Sequence, residues 1–240
     1  MKISVISILI LLFTILGDVF STTSHFSPAL SKSVAEILKR NQILLENGLK
    51  QRQLKLGSPV YIRIFKENAV LQLWIKDKKE YVLFRNYDIC SLNRELGPKL
   101  KQGDLFSPEG FYSVQPGQLN PESHYHLAFD IGYPNEYDRF YKRTGNDIEV
   151  HGGCVSSGCF AMTNPVIEQI YTLIDAAFRN GQKIICVDVY PFFMTEKNME
   201  RHKQSEWISF WKNLKEGYDY FEDKKIPPNA KLMNGMYIIT

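Results

Sequence analysis

At Ser58 the spacing of apolar residues changes, and that change constrains the fold more than any other feature of the chain. Before it, Ser31 to about Lys55 carries Val34, Ile37, Leu38, Ile43, Leu44 and Leu49 at near-helical spacing, with Gly57 beyond. After it the period is two: Pro59-Val60-Tyr61-Ile62-Arg63-Ile64-Phe65, then Val70-Leu71-Gln72-Leu73-Trp74-Ile75, then Tyr81-Val82-Leu83-Phe84. Lys66-Glu67-Asn68 and Asp77-Lys78-Lys79 supply turns between these runs, so the pattern predicts a meander of hairpins. Further strands are expected at Phe111–Val114 and at His126–Ile131, which would put His124 and His126 on one strand face. Ile184–Val189 reads as a buried strand. A helix is expected over Pro165–Asn180, started by Thr163 or Asn164, with an apolar face of Ile167, Ile170, Ile174, Ala177 and Phe178. One last amphipathic helix is expected over about Glu196–Leu214, with Trp207 and Trp211 packed in the core. The Lys-rich tail after it reads as solvated surface. The fold class is therefore α+β and β-rich, with a main domain over 58–240 behind a helical leader over 22–57.

Composition narrows the function classes. Of 240 residues, 44% are apolar and 23% charged, which excludes a disordered polymer, a collagen and a coiled-coil rod. A net charge of +3 gives no polybasic surface, so no nucleic-acid partner is expected. Four cysteines are too few for a disulfide scaffold. Lys2 followed by the apolar run Ile3–Leu16 predicts a cleaved signal peptide over 1–21 and work outside the cytoplasm. That run is short of the roughly twenty residues a membrane span needs, and no stable membrane insertion is expected after cleavage.

Chemistry concentrates in Val150-His151-Gly152-Gly153-Cys154-Val155-Ser156-Ser157-Gly158-Cys159. A thiol attacks a carbonyl as thiolate, and a nearby imidazole can take its proton and return it to a departing amine. His151 and Cys159 meet only if the intervening chain reverses, which the glycines permit, and backbone N–H groups around Gly158 can hold an oxyanion. Two other readings stand beside this one. His151, Cys154 and Cys159 can ligate zinc if Cys186 or His202 supplies a fourth ligand. Cys90 and Cys154 can pair in an oxidising compartment, leaving Cys159 free and Cys186 buried in its strand.

The segment resembles the active-site signature of the L,D-transpeptidase (YkuD-domain) family, in which a His-Gly pair serves the cysteine of a Ser-x-Gly-Cys element. Ser107-Pro108-Glu109-Gly110-Phe111-Tyr112 resembles the second marker of that family. Tyr137-Asp138-Arg139, Cys159-Phe160-Ala161-Met162-Thr163-Asn164 and Tyr190-Pro191-Phe192 resemble its YafK-like branch in Gram-negative bacteria. The resemblance implies an L,D-transpeptidase fold, Cys159 as nucleophile, His151 as base and no metal or cofactor. It implies a backbone carbonyl near Ser157 or Gly158 holding the second imidazole nitrogen, and a periplasmic location. Arg139, Arg143 and Ser156 are candidate substrate-binding residues. The implied partners are a peptidoglycan stem peptide and a wall-linked lipoprotein, which a peptidoglycan amidase would separate at meso-diaminopimelate. Cross-link formation is the alternative, but Ala161 stands where most of the family carries arginine, a group suited to a carboxylate.

Overall fold

The computed structural model describes residues 31–240; the expected signal peptide lies outside them. A five-stranded sheet runs in the order β3-β2-β1-β9-β4. It is built from β1 (Val60–Phe65), β2 (Val70–Asp77), β3 (Glu80–Asp88), β4 (Gly110–Val114) and β9 (Ile185–Tyr190). The expected meander is β1-β2-β3, antiparallel throughout. β9 returns beside β1 in parallel, and β4 pairs antiparallel with its far edge. The whole molecule is α+β.

Every residue of β1 is buried, which alternation alone does not explain. Val60, Ile62 and Ile64 join the core under α1 (Lys32–Gln51) and α3 (Asn164–Arg179), while Phe65 and Tyr61 face the aromatic layer of α5 (Ile208–Lys224). Arg63 sits on that second side among Tyr190, Tyr218 and Phe221, with Nη1 donating to Glu222 at 2.6 Å. α1 is packed rather than loose: Leu38, Leu45 and Leu49 are buried, and Arg40 and Asn41 donate to Glu168 of α3.

Three expectations change. The single C-terminal helix is two, α4 (Glu196–Arg201) and α5, because the chain turns between them where His202 stacks on Phe192. The tail is not free surface: β10 (Ala230–Met233) and β11 (Met236–Ile239) form a hairpin whose Tyr237 is buried against Phe111 and Tyr137. The strand expected from His126 is only β6 (Ala128–Asp130). His126 has φ +79° in the loop before it, so the two histidines do not share a strand face.

β6 belongs to a second sheet, ordered β5-β6-β7-β8, with β5 (Leu119–Asn120), β7 (Glu149–His151) and β8 (Phe160–Ala161). Partners in register share a face. Leu119, Phe129, Val150 and Phe160 therefore point together into the core, and Ala128, Asp130, Glu149, His151 and Ala161 share the other face. The short helix α2 (Glu136–Phe140) lies between β6 and β7 in the chain. No helix among the described residues is long and apolar enough to cross a membrane.

Candidate active site

The second sheet brings the cysteine and the histidine to one face. β7 and β8 are parallel, with His151 opposite Ala161. Extending that register by one residue sets Cys159 beside Glu149, and the Glu149 N–H indeed lies 3.5 Å from Cys159 Sγ. His151 and Cys159 are thus two residues out of step on neighbouring strands, about 8 Å between Cα positions in ideal sheet geometry. The thiol donates to the Asp147 carbonyl at 3.5 Å and makes no hydrogen bond to the imidazole.

His151 is buried and its tautomer follows from its partner. Nδ1 lies 2.6 Å from the Gly152 carbonyl, which can only accept, so Nδ1 carries the proton and Nε2 keeps its lone pair. The carbonyl expected near Ser157 or Gly158 is instead that of the residue following the histidine, because the reversal after β7 turns it back onto the ring. Gly152 has no room for a side chain: a Cβ would come within 2.6 Å of the Tyr125 carbonyl and 2.7 Å of Asn164 Oδ1. Gly158 has φ +113°, a backbone state that favours glycine, with the Phe106 carbonyl 3.1 Å from where its Cβ would be. Ser156 Oγ donates to the Cys159 carbonyl at 2.7 Å and closes the turn, while Ser157 is exposed.

Burial pushes the Cys159 thiol up from its ordinary value; the carboxylates of Glu149 and Asp130 press the same way, against the Glu149 N–H and the Lys99 ammonium. The other cysteine of the motif is committed: Cys154 is disulfide-bonded to Cys90, with 5.3 Å between Cα atoms. That takes away the thiolate a zinc site would have needed. Cys159 and Cys186 are the free thiols, and burial lifts Cys186 to about 12. On the far edge of β8, the Ala161 N–H donates to Ser91 and its carbonyl accepts from Cys90 and Ser91. Ala161 is fully buried under that segment.

The two arginines lie elsewhere. Arg143 is not available to a ligand: it is 7% exposed, Nη1 donates to Asp138 at 2.7 Å, and its guanidinium packs against Tyr137, Tyr141 and Phe210. Arg139 donates to the Pro134 carbonyl and lines a cleft of about 370 Å³ between β4, α2 and the C-terminal hairpin, which includes neither His151 nor Cys159. Glu109 of the second motif is fully buried, accepting from Lys66, the Gly97 N–H and Trp211. That motif anchors the loop whose Phe106 carbonyl covers Gly158. The stack of Tyr125 on His151 has no signal in the sequence, whereas the alternation of Glu149-Val150-His151 would have indicated β7.

Residues 59–189 match the YkuD family, the L,D-transpeptidase catalytic domain. The chain belongs to that family. It is 49% identical over 189 residues to YafK of Escherichia coli K12, an L,D-transpeptidase by name, with 79% of this chain and 77% of the relative covered. YafK of Escherichia coli O157:H7 matches at the same identity and coverage. Among solved structures, the helical cell shape determining protein Pgp2 of Campylobacter jejuni is 18% identical, with TM-score 0.45 over 79% of this chain and 80% of that one. Bd1075 of Bdellovibrio bacteriovorus is 21% identical, with TM-score 0.39 over 70% of this chain and 61% of that one. These likenesses are loose, and the assignment to the L,D-transpeptidases rests on sequence.

Proposed function

We propose that this L,D-transpeptidase-family chain is a periplasmic cysteine amidase acting on peptidoglycan. It cleaves the amide between meso-diaminopimelate of a stem peptide and the lysine of a covalently attached outer-membrane lipoprotein. Cys159 leaves the Asp147 carbonyl, gives its proton to His151 Nε2 and attacks the diaminopimelate carbonyl. Backbone N–H groups around Gly158 hold the oxyanion, and the C–N bond breaks as the imidazolium protonates the lysine amine. Water then adds to the thioester with His151 again as base, and the thiol and a free carboxylate result. The observation that carries this reading is the shared sheet face of Cys159 and His151, with the Nδ1 proton held by Gly152. The buried Ala161 favours water over a second stem peptide, since that position offers an acceptor carboxylate no guanidinium. The Cys90–Cys154 bond supports an oxidising compartment.

The test is digestion of lipoprotein-linked wall with the pure protein, followed by mass spectrometry of both products, with stem peptide added as competitor. Free lipoprotein with its lysine exposed is expected to form faster than cross-linked dimers. The reverse order would replace the amidase with a transpeptidase. Cys159→Ala should abolish turnover and acyl-enzyme, whereas Cys154→Ala should leave measurable activity. A substrate adduct on Cys154 would reverse that assignment. A mature N-terminus near Thr22 in the periplasmic fraction is the expected mark of export.

A further inference from the structure

The loop from Pro121 to Leu127 plays no part in the mechanism above, yet it touches the imidazole. The Tyr125 ring stacks on the His151 ring, with centroids 4.6 Å apart and planes 30° from parallel. The carbonyl of the same residue fills the space above Gly152, whose own carbonyl holds Nδ1. Tyr125 is 45% exposed, so core packing does not account for its position. The next residue ties the loop down: His126 Nε2 lies 2.8 Å from Glu168 Oε1. The other Glu168 oxygen accepts from Arg40 at 2.7 Å and Asn41 at 2.9 Å, both on α1. α1 lies outside the residues matched to the family. Between α1 and this loop runs a cleft of about 510 Å³ with Val34, Ile37 and Gly153 in its wall.

We propose that Tyr125 is the positioning residue for the His151 imidazole, and that α1 fixes it there through the Glu168–His126 contact. The proposal rests on the Cys159–His151 reading. One hydrogen bond to Gly152 fixes Nδ1 but leaves the ring free to swing about that contact. A ring stacked on its face removes the swing and holds Nε2 in one orientation. Misplacing a catalytic group by about 1 Å can cost on the order of a hundredfold in rate.

The test compares the full mature chain with Tyr125→Ala, Tyr125→Phe, His126→Asn and Cys159→Ala. Asparagine tolerates the positive φ at 126 but is too short to reach Glu168. With lipoprotein-linked wall as substrate, Tyr125→Ala should lower kcat by about tenfold to a hundredfold while KM stays within about twofold. Tyr125→Phe should retain the parent kcat, and His126→Asn should fall between the two. In the NMR spectrum of the substrate-free protein, the His151 ring protons should move downfield in Tyr125→Ala as the stacked ring is lost. An unchanged kcat in Tyr125→Ala, a loss confined to KM, or ring protons that do not move would overturn the proposal. Activity surviving in Cys159→Ala would instead sink the catalytic reading, and the ring-proton shift would still decide the Tyr125 contact.

Discussion

Burial and two carboxylates, Glu149 and Asp130, hold the Cys159 thiol in its protonated form, with only the Glu149 N–H and Lys99 pulling the other way. In the proposed mechanism the thiol therefore starts protonated, and His151 takes that proton as attack begins. Removing one of the carboxylates should show this directly. Glu149→Gln keeps the backbone N–H on Sγ but deletes a negative charge, so the thiol pKa falls and thiolate is more abundant at pH 8. Alkylation of Cys159 by iodoacetamide should then run about two- to fivefold faster than in the parent. An equal or slower rate contradicts it. At this scale the approach of the cysteine and the histidine on one sheet face was legible, because the glycines between them permit a chain reversal. The Gly152 carbonyl was not, since which carbonyl meets the ring depends on how the reversal turns. Arg143 misled for a related reason: the aromatic rings that bury it come from residues as distant as Phe210.

Between elements, the disulfide from the end of β3 to the loop after β7 spans a sequence separation of 64 and clamps the Cys90-Ser91 segment along β8. Closing a loop of that size restricts the unfolded chain by about 4 kcal/mol on the chain-entropy estimate. Thermal unfolding with and without dithiothreitol should differ by about 10 °C for a chain of this length. Cys154→Ala should reproduce the reduced value without reductant, and an unchanged Tm would refute the clamp. A second contact is set by absence of bulk. Gly217 in α5 lets Phe111 of β4 approach so closely that an alanine Cβ would meet its ring at 2.4 Å. Gly217→Ala should cost about 1–3 kcal/mol as overpacking. Pairing it with Phe111→Leu should recover part of that loss, and strictly additive values would count against direct contact. Element periods made β1, β2, β3, α3 and β9 legible. The C-terminal hairpin was not, because Lys231 and the exposed Met233 and Met236 hide its buried anchor, Tyr237.

Across the whole molecule, the five-stranded sheet is covered on both faces, and Arg63 and Asp188 are trapped on the side that faces α5. The covering by Tyr218 and Phe221, distant in sequence, encloses Arg63. Asp188 of β9 lies fully buried beside it, accepting from Tyr61 and Tyr190, and burial pushes its carboxyl up to about 7 despite those donors and Arg63. The folded chain therefore keeps a proton that the unfolded chain releases near pH 4. This contribution to stability is full below pH 4 and is lost as pH rises to about 7. Asp188→Asn keeps an oxygen for the tyrosines and cannot ionise, so its Tm should gain on the parent steadily between pH 4.5 and 7.5. A constant difference across that range would rule out Asp188 as the source. The parallel pairing of β1 with β9 also bears on the order in which the chain assembles. During synthesis the β1-β2-β3 meander emerges with one side of β1 unpaired, and its partner follows only after the intervening stretch that carries the entire second sheet. Until then that strand is an open edge of Tyr, Ile and Phe, able to pair with another chain, and long-range closure of this kind is slow. The nascent protein is thus most prone to aggregate before β9 arrives, while the surface that will hold Cys159 and His151 is still being made.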